Sequence, residues 1–541
     1  MLVGGFHVIS SCFADVYLTS LILFIQKKRR YINQILFINV VSASVFLITT
    51  SYLLTVLWAI DKGMAFWGFL KFSPVLPFSY ITMNLEPEDK RCVLKVIPLS
   101  GAFMTIVSYL LHLIPDFNKY FTVAGRLSGF FQYPNSFAAF LICGIVIIAY
   151  YYKKLFSKIF LLSILIFGVF ESGSRIAFAI MILGIFVLII SIKDKKISIA
   201  ITLILLMGIG ASLIYVHVTD NYYTVGRFLT SSVNESTLVG RILYYKDALP
   251  IILKHPFGLG YLGYSYIIGA SQTGVYSVVF VHNELLQFLL DIGWIPVLVF
   301  LVALLKTLFS KRIDFCQKLV LSLLCTHALL DFDFQYISLL FVLLLTLDFR
   351  YGYEVELKSK LSKALCVASI VFVSCFYFGL VDLLTLVNAN DIAIRLYPVH
   401  TNAEIRLLTE SKSAEQQSNI AKDIIKRNEH ISLAYAAMAN YDFSLGNIED
   451  FIANKKKSIE LSPYDIEAFN DFAGKLITAY GLYKQGGDSI SADYCLKQVI
   501  NLENKLLEVK SRTSALAWKI NDLPQLELSA EIKDFIKKTE E

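Results

Sequence analysis

Charge is what this chain lacks most. Of its 541 residues only 17% are Asp, Glu, Lys or Arg and 56% are hydrophobic, where an ordinary soluble domain carries roughly 25% charge. With a mean hydropathy of +0.61, that composition excludes a soluble globular protein and puts most of the chain in a lipid bilayer. Metal-ligand and redox spacing is missing too. The eight cysteines, Cys12, Cys92, Cys143, Cys316, Cys325, Cys366, Cys375 and Cys495, form no CxxC pair. Most fall in or beside apolar runs, where a thiol behaves as a small hydrophobe. The net charge of +6 is spread over short basic clusters. Its Lys and Arg sit in short loops between apolar runs, which argues for membrane-orientation signals and against nucleic-acid binding. The first apolar run, Leu2 to Ile25, lacks the basic start of a cleaved signal peptide, carries Asp15 and precedes Lys27, Lys28, Arg29 and Arg30. It reads as a retained span.

What is present is a succession of apolar windows near residues 2–25, 33–60, 63–84, 93–115, 134–152, 155–170, 173–192, 197–217, 282–309, 316–331, 334–349 and 363–387. They predict an all-α, polytopic membrane protein with about twelve helices crossing a hydrocarbon core of ~30 Å. Every second connection is basic: Lys27 to Arg30, Lys90 with Arg91 and Lys95, Lys153 with Lys154 and Lys158, Lys193 with Lys195 and Lys196, Lys311 with Arg312 and Lys318, and Lys358 with Lys360 and Lys363. By the positive-inside rule these six are cytoplasmic. The intervening connections then face outward, including the long loop 218–281, as do the N-terminus and everything after Val387.

The domain division expected is a membrane region, residues 1–387, and an extracytoplasmic helical region, residues 388–541, where the pattern turns amphipathic. Tyr435, Met438 and Ala439 are echoed 34 residues later by Phe469, Phe472 and Ala473, the period of tetratricopeptide (TPR) repeats. Gly446 and Pro463 suit that motif, while Phe451 stands where a small residue is expected. A TPR-like array offers a groove for an extended partner; a packed cap or a dimerisation element is the other reading.

Four outward stretches carry polar groups able to do chemistry. Gly125 to Asn135 holds Arg126 before a Pro134 that starts a helix, with Asn135 placed to cap it or line a cavity. Glu171-Ser172-Gly173-Ser174-Arg175 puts Arg175 at the mouth of a span, against the positive-inside bias, so it calls for an anionic partner, with Glu171 available. Gly240-Arg241 opens an apolar periodic helix ending in His255-Pro256-Phe257-Gly258-Leu259-Gly260, the pattern of an interfacial helix. An arginine there can fork onto a phosphate. Val281-His282-Asn283-Glu284, with Gln287, opens the next span. A histidine at a helix start is commonly structural, but this one shares a membrane face with both arginines, and imidazole is the side chain that titrates near neutral pH.

Taken together and in order, these motifs, with Phe131 to Asn135 and the segment from His327 to Asp331, closely resemble the bacterial O-antigen ligase superfamily over most of residues 100–350. The resemblance implies a multi-span glycosyltransferase of the bacterial cytoplasmic (inner) membrane, acting on the extracytoplasmic side. Its partners would be a polyprenyl diphosphate-linked glycan donor and a lipid, protein or glycan acceptor. Arg175 and Arg241 would hold the diphosphate and His282 would take the acceptor's proton, giving inversion in one displacement. Arg126, Asn135, Ser174 and Asn283 are candidate contacts to diphosphate or glycan. Asp331-Phe332-Asp333 mimics the metal-binding pair of nucleotide-sugar enzymes, but lies on a short outward turn, so no metal and no cofactor are expected. A transporter or flippase for lipid-linked glycan is the alternative.

Overall fold

This computed structural model describes residues 2–28, 35–191, 236–356, 361–520 and 525–540, with isolated positions between 199 and 210. Nearly all of the expected span 197–217, the basic positions Arg29, Arg30, Lys193, Lys195, Lys196, Lys358 and Lys360, and loop residues 218–235 lie outside the described residues.

The described chain is almost entirely helical. The membrane region runs α1 (Val8–Lys28), α2 (Val40–Leu54), α3 (Lys62–Phe72), α4 (Val75–Asn84), α5 (Pro87–Leu94), α6 (Val96–His112), α7 (Pro115–Phe121), α8 (Pro134–Tyr151), α9 (Leu155–Glu171) and α10 (Arg175–Ser191). It continues with α11 (Ser236–Lys254), α12 (Gly263–Ser271), α13 (Glu284–Ile292), α14 (Trp294–Phe309), α15 (Phe315–Ala328), α16 (Ile337–Thr346) and α17 (Leu361–Leu386). Five stretches are long and apolar enough to cross a membrane: Val8–Ile25, Val40–Leu57, Pro87–His112, Pro134–Tyr151 and Lys363–Leu386. Shorter apolar helices include Arg175–Ser191, Trp294–Phe309, Phe315–Ala328 and Ile337–Thr346.

Two expected spans are broken, each for a backbone reason. The run 63–84 is interrupted at Ser73-Pro74 between α3 and α4, where proline cannot supply the N–H that a continuous helix needs. The run 282–309 divides at Gly293, whose φ of +82° ends α13. A Cβ there would lie 2.4 Å from the Pro256 carbonyl oxygen, so only glycine fits. The close approach is locked by backbone hydrogen bonds from Leu259 N to Leu290 O, 2.7 Å, and Trp294 N to Pro256 O, 3.0 Å. The His255 to Gly260 turn is thereby clamped to the α13–α14 break.

α8 is the centre of the membrane region. It packs against α6, α9, α10 and α15, while α2 lies on α14 and α1 on α17. At one end of the bundle β1 (Ile35–Ile38) pairs antiparallel with a strand at Tyr353–Glu356. Lys90 Nζ donates to Leu347 O, and Arg91 pairs with Asp314, Arg312 with Asp348 and Arg350 with Glu86. This end gathers basic connections that the charge pattern assigns to one face.

The opposite end carries α11 and α12 and receives the C-terminal helices α18 (Asn390–Leu396), α19 (Thr401–Glu410), α20 (Ala414–Arg427), α21 (Ser432–Ser444), α22 (Ile448–Leu461), α23 (Ile466–Gln485), α24 (Ser489–Arg512) and α25 (Ala530–Glu540). Consecutive helices from α19 to α24 pack on one another. Phe451, Phe469, Phe472 and Ala473 form their sealed core. They dock on the bundle through hydrogen bonds from the Tyr266 hydroxyl to Asn402 Oδ1, 2.7 Å, Tyr397 hydroxyl to Gly63 O, 3.0 Å, and Ser514 N to Thr273 O, 2.8 Å.

Candidate active site

The docked end of the bundle encloses a cavity of about 580 Å³, within the roughly 300–1,000 Å³ of ordinary small-molecule sites. Its wall contains His282, Tyr133, Phe332 and Phe280 from the loops, Lys71 from α3, and Arg406 from α19. Of the five non-glycine residues at positive φ among the described residues, Gln132 (+54°), Leu262 (+63°) and His282 (+54°) lie in this wall. The left-handed region costs an ordinary residue about 1–2 kcal/mol, and such strain collects where a site dictates a side chain's direction.

His282 is aimed by its neighbours. It does not open α13: Asn283 is the N-cap, its side chain accepting from Leu286 N at 3.0 Å, and His282 precedes it. The His282 carbonyl accepts from the Tyr245 hydroxyl at 2.7 Å. Its ring lies edge-on to Phe332, centroids 4.9 Å apart, and Phe332 stacks on Tyr133 at 4.5 Å.

The hub behind it is Asp331, fully buried on the turn after α15. Oδ1 accepts from the Tyr133 hydroxyl at 2.8 Å and lies 3.1 Å from His282 Nδ1; Oδ2 accepts from Asn135 Nδ2 at 2.7 Å and Arg241 Nη2 at 3.0 Å. An ionised carboxylate only accepts, so Nδ1 of His282 carries a proton, and in the neutral ring Nε2 is then the acceptor nitrogen. Burial alone would push the Asp331 carboxyl up; the His282 hydrogen bond and the Arg241 charge outweigh it and hold the group well below the usual carboxylate range. Burial beside this charge pushes the Tyr133 hydroxyl well up, so it remains a neutral donor.

A second layer reaches the other expected residues. Arg126 donates from Nη2 to Asn135 Oδ1 at 2.5 Å and from Nε to Ser172 O at 2.8 Å. Its side chain lies 3.4 Å from where a Cβ on Gly173 (φ +55°) would stand. Arg175, half-buried at the first position of α10, follows two residues later. The structure thus joins His282, Arg241, Asn135 and Arg126 through Asp331 and leads by Arg126 to the turn that holds Arg175. Arg241 lies in the second turn of α11, because the helix begins earlier than expected, at Ser236.

Two candidates are occupied by local structure. Ser174 is buried, and its Oγ accepts from Ala177 N at 3.4 Å. Asn283, besides capping α13, donates from Nδ2 to Leu329 O at 2.8 Å.

Asp333 resembles Asp331 in sequence and differs in setting. It accepts from Ser136 Oγ at 2.8 Å and sits 2.5 Å from His327 Nδ1 in a sealed pair. Both carboxylates of the Asp331-Phe332-Asp333 triplet are engaged by protein groups. Sequence reasoning missed the Asp331 role because the triplet reads as a metal motif, and it missed Lys71, which stands in a membrane run with no flanking signal.

No curated protein and no solved structure matches the chain. Comparison with protein families matches the O-antigen ligase family over residues 160–301, the segment holding Arg175, Arg241 and His282, so over that segment this helical membrane protein is similar to O-antigen ligases.

Proposed function

We propose that this chain is a membrane glycan transferase that moves a glycan from a polyprenyl diphosphate carrier to an acceptor hydroxyl, by ligation or polymerisation. The observation that carries the reading is the His282–Asp331–Arg241 cluster, a histidine oriented by a carboxylate beside a guanidinium and facing a cavity. His282 Nε2 takes the acceptor's proton as its oxygen attacks the anomeric carbon. The bond from that carbon to the phosphate oxygen breaks, and the diphosphate leaves on the lipid. Arg241 has one N–H on Asp331 and further donors for phosphate; Arg175 and Arg126 lie along the same edge. Charge developing on the leaving group is stabilised by such fixed cations, an effect worth about 10²–10³-fold per donor.

In this reading the reaction takes place at the extracytoplasmic face of a bacterial cytoplasmic membrane, in a membrane domain of residues 1–387 covered by TPR-like hairpins of residues 388–541. The acceptor is a lipid, a protein or a growing polysaccharide. The gathering of polar groups at one end of the bundle favours transfer over transport. No metal takes part, because a histidine base and arginine clamps supply both the proton acceptor and the positive charge.

The test is transfer from a polyprenyl diphosphate-linked glycan by the purified full chain in nanodiscs, with chelator present. Wild type consumes the donor, and His282→Ala and Arg241→Ala lose about 10²–10⁴-fold. An untouched donor with every acceptor class, or full activity in both folded variants, rejects the reading.

A further inference from the structure

The cavity wall that holds His282 also holds cations that the transfer chemistry above does not use. Lys71 is 1% exposed, and a buried ammonium is costly without a counter-charge. Its hydrogen-bond partners among the described residues are both neutral: the Tyr261 hydroxyl at 2.9 Å and Gln335 Oε1 at 3.2 Å. The Phe6 ring lies 4.2 Å from its Nζ. The neighbouring Gln335 Nε2 is buried without a hydrogen-bond partner among the described residues. Arg406, from the C-terminal helices, is exposed on the same cavity and donates from Nη1 to Thr385 O at 3.0 Å, leaving further N–H groups of its fork. His7 lies within electrostatic range of both cations. The carboxylate in this wall, Asp382, already accepts from Ile9 N at 2.8 Å at the start of α1, where the helix dipole offsets its charge. Glu284, Asp291 and Asp382 all act electrostatically on Lys71, but none is among its hydrogen-bond partners, and Glu284 and Asp291 do not line the cavity.

An inverting displacement brings the acceptor in on the side opposite the leaving group. With the diphosphate held by Arg241 on the Asp331 side of His282, the acceptor approaches from the cavity. There the rings of Tyr133, Tyr261, Phe280 and Phe332 offer apolar surface to a sugar, and Lys71 and Arg406 line the same cavity.

We propose that the Lys71 and Arg406 side of the cavity is an acceptor subsite for a sugar bearing an anionic group, a carboxylate or a phosphate. The inference rests on the transferase reading and specifies its acceptor. It also gives α19 a place in the site, since Arg406 belongs to the C-terminal helices and Lys71 to the bundle. The anion gives Lys71 a directly hydrogen-bonded charged partner, which Tyr261 and Gln335 are not, and accepts the Arg406 fork.

The experiment supplies the full chain in nanodiscs with one lipid-linked donor and three matched acceptors: a glucuronide, a glucose 6-phosphate glycoside and a neutral glucoside. Charge-assisted hydrogen bonds predict a KM for the anionic acceptors about tenfold or more below that of the neutral one. Lys71→Met and Arg406→Gln each erase the difference by raising the anionic KM. The better of the two anionic acceptors identifies the group. Equal KM for all three in wild type, or a preference intact in both variants, overturns the subsite while the transferase stands. Should Lys71→Met fail to fold, Arg406→Gln, at an exposed position, decides alone. Thermal unfolding with a glucuronic acid disaccharide reads binding without turnover: stabilisation of wild type and not of Arg406→Gln supports the subsite even if no transfer is seen, and its absence overturns it.

Discussion

Two histidine–aspartate pairs lie next to each other in this molecule, and the contrast between them shows what sets a candidate catalytic pair apart from a structural one. His282 with Asp331 and His327 with Asp333 use the same ring nitrogen, at 3.1 and 2.5 Å. Their carboxylates stand two residues apart on one turn. The His282 side chain is 21% exposed and His327 1%. Asp331 is further bound by Arg241, Tyr133 and Asn135, while Asp333 has Ser136. One pair therefore offers a free imidazole nitrogen to a cavity beside a cation. The other fastens α15 and the following turn to α8 in the interior. Chemistry at a site depends on access and on the charges around it as much as on the pair itself.

The sharpest way to break this comparison is to neutralise each carboxylate. Asp331→Asn leaves the His282 tautomer unspecified and removes the charge facing Arg241; transfer per folded molecule falls about 10²–10³-fold. Asp333→Asn keeps transfer within a few-fold and lowers the melting temperature in detergent. Equal losses of activity would mean that both pairs serve the reaction. A smaller effect is expected of His327→Asn, which retains a donor toward Asp333: a stability loss of about 1–3 kcal/mol in thermal unfolding, with transfer unimpaired. Loss of transfer comparable to that of His282→Ala would erase the distinction. The smallest effect is in pH. The Asp331 carboxyl is depressed on folding, so its contribution to stability is present above the ordinary carboxylate value of about 4 and is lost as pH falls through the depressed folded value. Wild type should therefore exceed Asp331→Asn in melting temperature near neutral pH, with the gap closing in acid. A gap that widens in acid would contradict the charge-based account of Asp331.

Much of the architecture was legible because its signals are local. Pro134 starts α8 as expected, and the apolar windows 2–25, 134–152, 155–170 and 173–192 coincide with α1, α8, α9 and α10. The broken spans were less legible, since Ser73-Pro74 and Gly293 interrupt runs whose apolarity continues across the break. Arg241, His282, Arg126 and Asn135 were visible as polar residues at outward helix mouths. Their common anchor was not, because Asp331 lies 49 residues from His282 and 196 from Asn135.

Amino-acid order was enough to specify a helical membrane protein, because transfer of apolar side chains out of water is a property of each segment. It could not distinguish lipid from protein as the new surroundings. Pro134–Tyr151 and Lys363–Leu386 are both strongly apolar, yet 89% of the first is buried inside the protein and 17% of the second. Packing between helices set that difference. It also turned Asp331 toward Arg241 and His282, and brought Lys71 of α3 and Arg406 of α19 to one cavity, since each depends on contacts between segments far apart in the chain.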